Sequence, residues 1–217
     1  MALSTRIRIL LVNFASLFYF KKRSKVIFYH DIHSDNCYTN MSTSLDMFIK
    51  HINVIREMDF DIVSEITKDE GQIQLTFDDG FYNNYKYALP VLKKYNVPHI
   101  IYITTNYVDK NLISWIDRID IAINKCKKKM LYSNIFKKKI ELSSKKNKII
   151  FLNFIRNYCK SLKKIDLNVF SELLLKDLKL SAPTTSKSDL DKKLDWNHII
   201  KMNKNNLTEF GGHSHNH

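Results

Sequence analysis

"QIQLTFDDG", Gln72 to Gly80, is the stretch on which the fold turns. Six residues of β-forming character run straight into two adjacent carboxylates, Asp78 and Asp79, and then a glycine. Parallel α/β folds gather their chemistry at the carboxyl ends of buried strands, which is where this acid pair falls. Neighbouring acids repel, so both stay ionised only where a cation or hydrogen-bond donors hold them. Side chains alternate along a strand, so the two carboxylates point different ways and take separate roles. Gly80 lets the backbone turn tightly directly after them.

Working outward, "VIFYH" (Val26 to His30), "FDIVS" (Phe60 to Ser64) and "HIIYIT" (His99 to Thr104) read as further short strands. Between them "TSLDMFIKHINVIREM" places Leu45, Phe48, Ile52 and Ile55 on one helical face, with Thr43 and Asp46 matching a capping box. A second helix is predicted from Tyr85 to Tyr95, where Pro90 is tolerated only near the first turn. Strands alternating with helices specify an α/β fold on a parallel sheet or barrel. From about Ser114 to Leu194 the pattern turns helical and loses its strands. Trp115, Ile116, Ile119 and Ile123 form one stripe, and Phe151, Phe154, Ile155, Tyr158 and Leu162 another. "SAPTTSKSD" is then a loop, "LDWNHIIKM" a short helix, and "LTEFGGH" a strand leading into the closing histidines.

The chain's 217 residues suffice for one domain with a substantial core, and 44% hydrophobic content excludes a disordered chain. Its net charge of +13 is local: Lys125 to Lys164 holds fourteen Lys or Arg against one acid, Glu141, leaving 21 basic and 21 acidic residues elsewhere. A patch of that kind suits an anionic partner such as a membrane surface; a plain solvated face is the other reading. Cys37, Cys126 and Cys159 are odd in number without CxxC spacing, so neither a disulfide framework nor a sulfur-ligated zinc site is expected. Residues 1–25 form a basic and apolar N-terminal segment. Its run "ILLVNFASLFYF" is too short to span a bilayer. Ile7, Leu10, Leu11, Phe14, Leu17 and Phe18 repeat at helical spacing between basic flanks, which fits a helix on the cytoplasmic membrane face or one packed on the protein itself. Cytoplasmic-face attachment is expected ahead of export.

The chain closes on "GGHSHNH", with His213 and His217 four apart. Imidazole plus carboxylate suits zinc and related divalent ions, and three protein ligands leave a position open for water. "TFDDG" together with His-Ser-x-x-His resembles the first two motifs of the polysaccharide deacetylases, the NodB-homology domain of carbohydrate esterase family 4. "VIFYHDI" and "LDWNHIIKM…FGGHSHNH" resemble the strand and helix elements that accompany those motifs. The resemblance runs from about Val26 to the end and is weakest in the helical region. It implies an incomplete deformed (β/α) barrel at 26–217 with a helical basic insertion at about 114–194. Carried over by position, Asp79, His213 and His217 would ligate a divalent metal, zinc first, and Asp78 would be the general base that takes a proton from the attacking water. Ser214 would brace the loop, and Tyr29 and His30 would line the substrate pocket unless His30 is structural.

The family's later motifs, which supply an arginine, a hydrophobic wall and a histidine acid, have no counterpart after His217. The expectation is therefore a truncated deacetylase or its first portion, with an unclosed barrel and an exposed sheet edge. Three readings follow. The first is a metal-dependent hydrolase removing N-acetyl groups from amino sugars of an envelope or capsular polysaccharide, or a lipid-linked sugar. The others are a non-catalytic remnant and a basic module binding membranes or other anionic polymers. No nucleic-acid partner is expected of the hydrolase.

Overall fold

The computed structural model describes residues 22–34, 42–162, 165–186, 188–189 and 191–216. The stripe from Ile7 to Phe18, Cys37 and His217 lie outside them. Strand β5 (Gln72–Phe77) is buried at every position but Gln74, as expected of a central parallel strand covered on both faces. It pairs in parallel with β1 (Lys25–Tyr29), with β4 (Asp61–Val63) along its first half, and with β6 (His99–Ile103) near its end. β6 in turn pairs in parallel with β9 (Thr208–Gly212). The result is a five-stranded open sheet with no closed barrel among the described residues. Val26 and Phe28 on the edge strand β1 are 52% and 61% exposed, so one face of that edge is uncovered among the described residues.

Helix α1 (Leu45–Glu57) buries Phe48, Ile52 and Ile55 against this sheet. Its N-cap is Ser44, whose hydroxyl accepts from the Met47 amide at 3.2 Å, one residue later than the Thr43 expected. Thr43 lies instead in β3 (Ser42–Ser44), which pairs with β2 (Asp31–His33), a two-stranded element too short to show as a pattern in the sequence. The core is aromatic at the level of the acid pair. Tyr29 stacks on Phe77 at 5.5 Å and meets Phe48 edge-on at 5.2 Å, which makes Tyr29 a core residue and not a pocket wall. The predicted second helix divides into a π-helical turn (Asn84–Ala88) and α2 (Leu89–Lys94), with Pro90 in the first turn of the latter. α3 (Thr105–Lys110) follows β6 directly.

The helical region builds its own hydrophobic cluster. Ile119 and Ile123 from α4 (Trp115–Lys125), Phe151 and Ile155 from α5 (Lys145–Ser161), and Phe170 and Leu174 from α6 (Leu167–Asp177) pack together. Strands are not absent here: β7 (Met130–Ser133) and β8 (Lys138–Glu141) form an antiparallel hairpin. Its inner residues Leu131 and Ile140 join the cluster, and Asp177 accepts from Ser133, Asn134 and Ile135 around the turn. Cys126 and Cys159 are free thiols. No described helix is long and apolar enough to cross a membrane.

His99 fastens β6 to β9. It is fully buried; its Nδ1–H donates to the Val97 carbonyl at 3.1 Å, so Nε2 accepts the Thr208 hydroxyl at 3.1 Å. Burial depresses its pKa to about 4 from an ordinary 6.5, against a smaller opposing pull from Val97. The unfolded chain therefore binds a proton below about pH 6.5 that the folded chain refuses until about pH 4. Stability tied to His99 is complete above pH 6.5 and is lost as pH falls through that window. Between pH 7.5 and 5 the wild type should lose about 2 kcal/mol more than His99→Gln, read from urea unfolding midpoints. Equal losses in the two proteins would contradict this.

Candidate active site

Parallel pairing lines up the ends of the strands. Tyr29 is opposite Phe77, Phe77 opposite Ile101, and Ile103 opposite Gly212. The residues that follow, His30, Asp78 and Asp79, Thr104 and His213, consequently emerge along one edge of the sheet. Asp78 continues the ladder, its amide donating to the Tyr29 carbonyl at 2.8 Å. Asp79 then enters the left-handed region at φ 68° and Gly80 follows at φ 62°. Asp is among the few side-chain-bearing residues that tolerate this conformation. At Gly80 a Cβ would also lie 3.2 Å from Ile103 Cγ2, so both conformation and space call for glycine.

The turn swings the Asp79 side chain inward, where the residue is 5% exposed, and leaves Asp78 half-buried. On the facing strand, the His213 amide donates to the Ile103 carbonyl at 2.8 Å. Gly211, two residues earlier, lies so near Tyr102 that a Cβ there would sit 2.5 Å from the ring. That close approach seats the end of β9 on Tyr102, whose ring centroid is 6.4 Å from that of His213. Nε2 of His213 comes within 3.8 Å of Asp79 Oδ1. This exceeds hydrogen-bond range. It matches two donors that share one ion, since ligands each about 2 Å from a zinc are at most about 4 Å apart.

The rest of the histidine loop is held by α3. Its first amides, Thr105 and Asn106, donate to the carbonyls of Ser214 and His215 at 3.4 and 3.0 Å. Thr105 also bonds His215 Nδ1 at 2.8 Å, which engages that imidazole away from Asp79. Ser214 is at φ 70° and turns the chain between them. The third expected donor, His217, lies outside the described residues, and among the described residues no group of three His, Cys, Asp or Glu forms a metal cluster. His30 sits half-buried at the end of β1, with its carbonyl accepting from Asn84 Nδ2 at 2.9 Å and its ring 5.9 Å from Phe28.

Several residues at this edge carry no sequence signal. Lys193 is 1% exposed beneath the Asp78–Gly80 turn, and Asp31 is 5% exposed beside it. Burial pushes Asp31 up to about 6, opposed by the Ser42 hydroxyl bond at 2.7 Å. Asp31 directly follows the first predicted strand, and Lys193 lies between the predicted loop and the short helix. Thr104 donates to the His213 carbonyl at 3.2 Å, a contact between residues more than a hundred positions apart.

A model of the polysaccharide deacetylase family matches residues 65–217. Among solved structures, a de-N-acetylase from Aggregatibacter actinomycetemcomitans is 16% identical with a TM-score of 0.45, over 88% of this chain and 54% of its own. The BpsB deacetylase domain from Bordetella bronchiseptica is 16% identical with a TM-score of 0.42, over 90% of this chain and 56% of its own. IcaB from Ammonifex degensii is 16% identical with a TM-score of 0.37, over 83% and 96%. The chain thus spans about half the length of the first two. No curated protein matches it.

Proposed function

Because the chain belongs to the polysaccharide deacetylase family, we propose that it carries the metal- and base-bearing part of a hydrolase that removes N-acetyl groups from amino sugars of an envelope or capsular glycan or its lipid-linked precursor. The observation that carries this reading is the 3.8 Å approach of His213 Nε2 to Asp79 Oδ1, beside Asp78 on the same strand edge. Asp79 and His213 would hold a divalent ion, zinc first, with His217 as the third ligand. An ion there supplies Lewis acidity, which acidifies water and polarises an amide carbonyl. Asp78 stands outside the ligand pair and accepts the proton of the attacking water. Water oxygen bonds to the acetyl carbon, the carbon–nitrogen bond breaks as the departing nitrogen takes up a proton, and acetate and the free amine leave. His30, which directly follows the neighbouring strand, would meet the sugar. Acetate release from N-acetylglucosamine oligomers, dependent on added zinc and stopped by a chelator, tests this reading. Zinc binding without acetate release would favour the non-catalytic alternative.

The lysine-rich face supports a second element of the proposal, attachment to an anionic membrane surface such as the inner leaflet. Lys127, Lys128, Lys129, Lys137, Lys138, Lys139, Lys145 and Lys146 are exposed on and beside the β7–β8 hairpin. Met130, Tyr132 and Ile150 are 51%, 54% and 56% exposed among them. Each lysine near such a surface contributes about 1 kcal/mol. Replacing Lys137, Lys138 and Lys139 with Glu should therefore cut co-sedimentation with phosphatidylserine vesicles more than about tenfold. Equal binding to neutral phosphatidylcholine vesicles would contradict the proposal.

A further inference from the structure

Lys193 stands in "SKSDLDKKLDW", a largely polar run, yet its side chain is fully buried. Main-chain pairing puts it there. The Tyr82 amide donates to the Lys192 carbonyl and the Leu194 amide to the Gly80 carbonyl, both at 2.8 Å. The Lys193 amide donates to Asn111 Oδ1 at 3.0 Å. This strap therefore ties the turn after Asp79 to the end of α3. Lys193 Nζ lies 3.1 Å from the centroid of the Phe81 ring and 5.5 Å from that of Tyr107, with no hydrogen-bond partner among the described residues.

A buried ammonium is costly, and aromatic faces offset only part of that cost. Charge offsets more of it. Burial holds the Lys193 pKa below the usual lysine range, and the carboxylates of Asp79, Asp117, Asp31 and Asp191, in that order, oppose that shift without cancelling it. The acids come from four segments: the turn after β5, the first turn of α4, strand β2, and the strap itself. Burial pushes Asp191 up to about 6, and Lys193 opposes this, so the attraction is mutual.

We propose that Lys193 is the internal counter-ion of the metal site, a buried cation that holds Asp79 and its neighbouring acids together before a divalent ion arrives. The proposal rests on the reading of Asp79 as a metal ligand. Lys193 acts through those acids, so it is a positioning residue. A neutral side chain in its place leaves the acids uncompensated, and a divalent ion then does more for the folded state than it does in the wild type.

The test is thermal unfolding of the full chain at pH 7.5, with chelator and with excess zinc. Lys193→Met should lower the metal-free Tm by about 10 °C, as expected for removing one partner of a buried charge cluster. Zinc should restore more than half of that loss. Adding Asp117→Asn to Lys193→Met should also recover metal-free stability, because one acid fewer needs compensation. A Tm loss equal with and without zinc would overturn the proposal, since lost packing alone behaves that way. So would a metal-free Tm that does not fall, or an Asp117→Asn change that deepens the loss. Absence of a zinc-induced shift in the wild type would instead overturn the ligand reading itself.

Discussion

Asp79→Asn should abolish zinc binding at this site, lowering affinity by more than about a hundredfold in a competition titration with a chromogenic chelator. The lower bound comes from outer residues that merely orient ligands, whose loss typically costs 10–100-fold; a ligand itself is worth more. The substitution removes charge and oxygen basicity while keeping the backbone turn. Asn tolerates the left-handed conformation as Asp does, so the φ 68° turn survives. The side chain is 5% exposed and faces His213 Nε2 at 3.8 Å, so an amide there cannot be bypassed by a solvated carboxylate. Retained affinity would remove Asp79 from the ligand set.

Asp78→Asn should do the opposite. Zinc affinity stays within about threefold of the wild type, while acetate release from N-acetylglucosamine oligomers falls by roughly 10²–10⁴, the usual contribution of a positioned general base. The distinction has a structural cause. Asp78 still follows strand geometry, with its amide on the Tyr29 carbonyl at 2.8 Å, whereas Asp79 has turned out of it. Consecutive side chains then differ in setting: Asp79 is buried with the imidazole 3.8 Å away, and Asp78 stays half-buried. Parallel losses of metal and activity in both variants would mean that the two carboxylates act as one unit.

Much of the α/β body was legible because its physical causes are local. β5 is apolar and β-forming through Phe77, and β1 and β6 announce themselves the same way. The placement of Asp78, Asp79 and His213 on one edge follows from parallel pairing alone. What escaped depends on contacts distant in sequence. The β7–β8 hairpin hides inside the lysine run, since its strands are four residues each and only Leu131 and Ile140 face the cluster. β2 and β3 are three residues each, below the length at which alternation becomes a pattern. The helix-start signal fell on Thr43, but that residue is spent on β3 and the cap passes to Ser44. Lys193 is the clearest case. A lysine beside another lysine and an aspartate reads as surface, and only the bonds to Gly80 and Asn111 place it inside.

Asp79, His213 and His217 are proposed to share one ion. Zinc-edge X-ray absorption of the chain loaded with one equivalent of zinc tests it most directly, because imidazole rings scatter distinctively and can be counted. Two imidazoles and a carboxylate oxygen are expected at about 2.0–2.1 Å from zinc, falling to one imidazole in His213→Ala and again to one in His217→Ala. A spectrum unchanged by either substitution, or one that holds sulfur in the first coordination sphere, would contradict it.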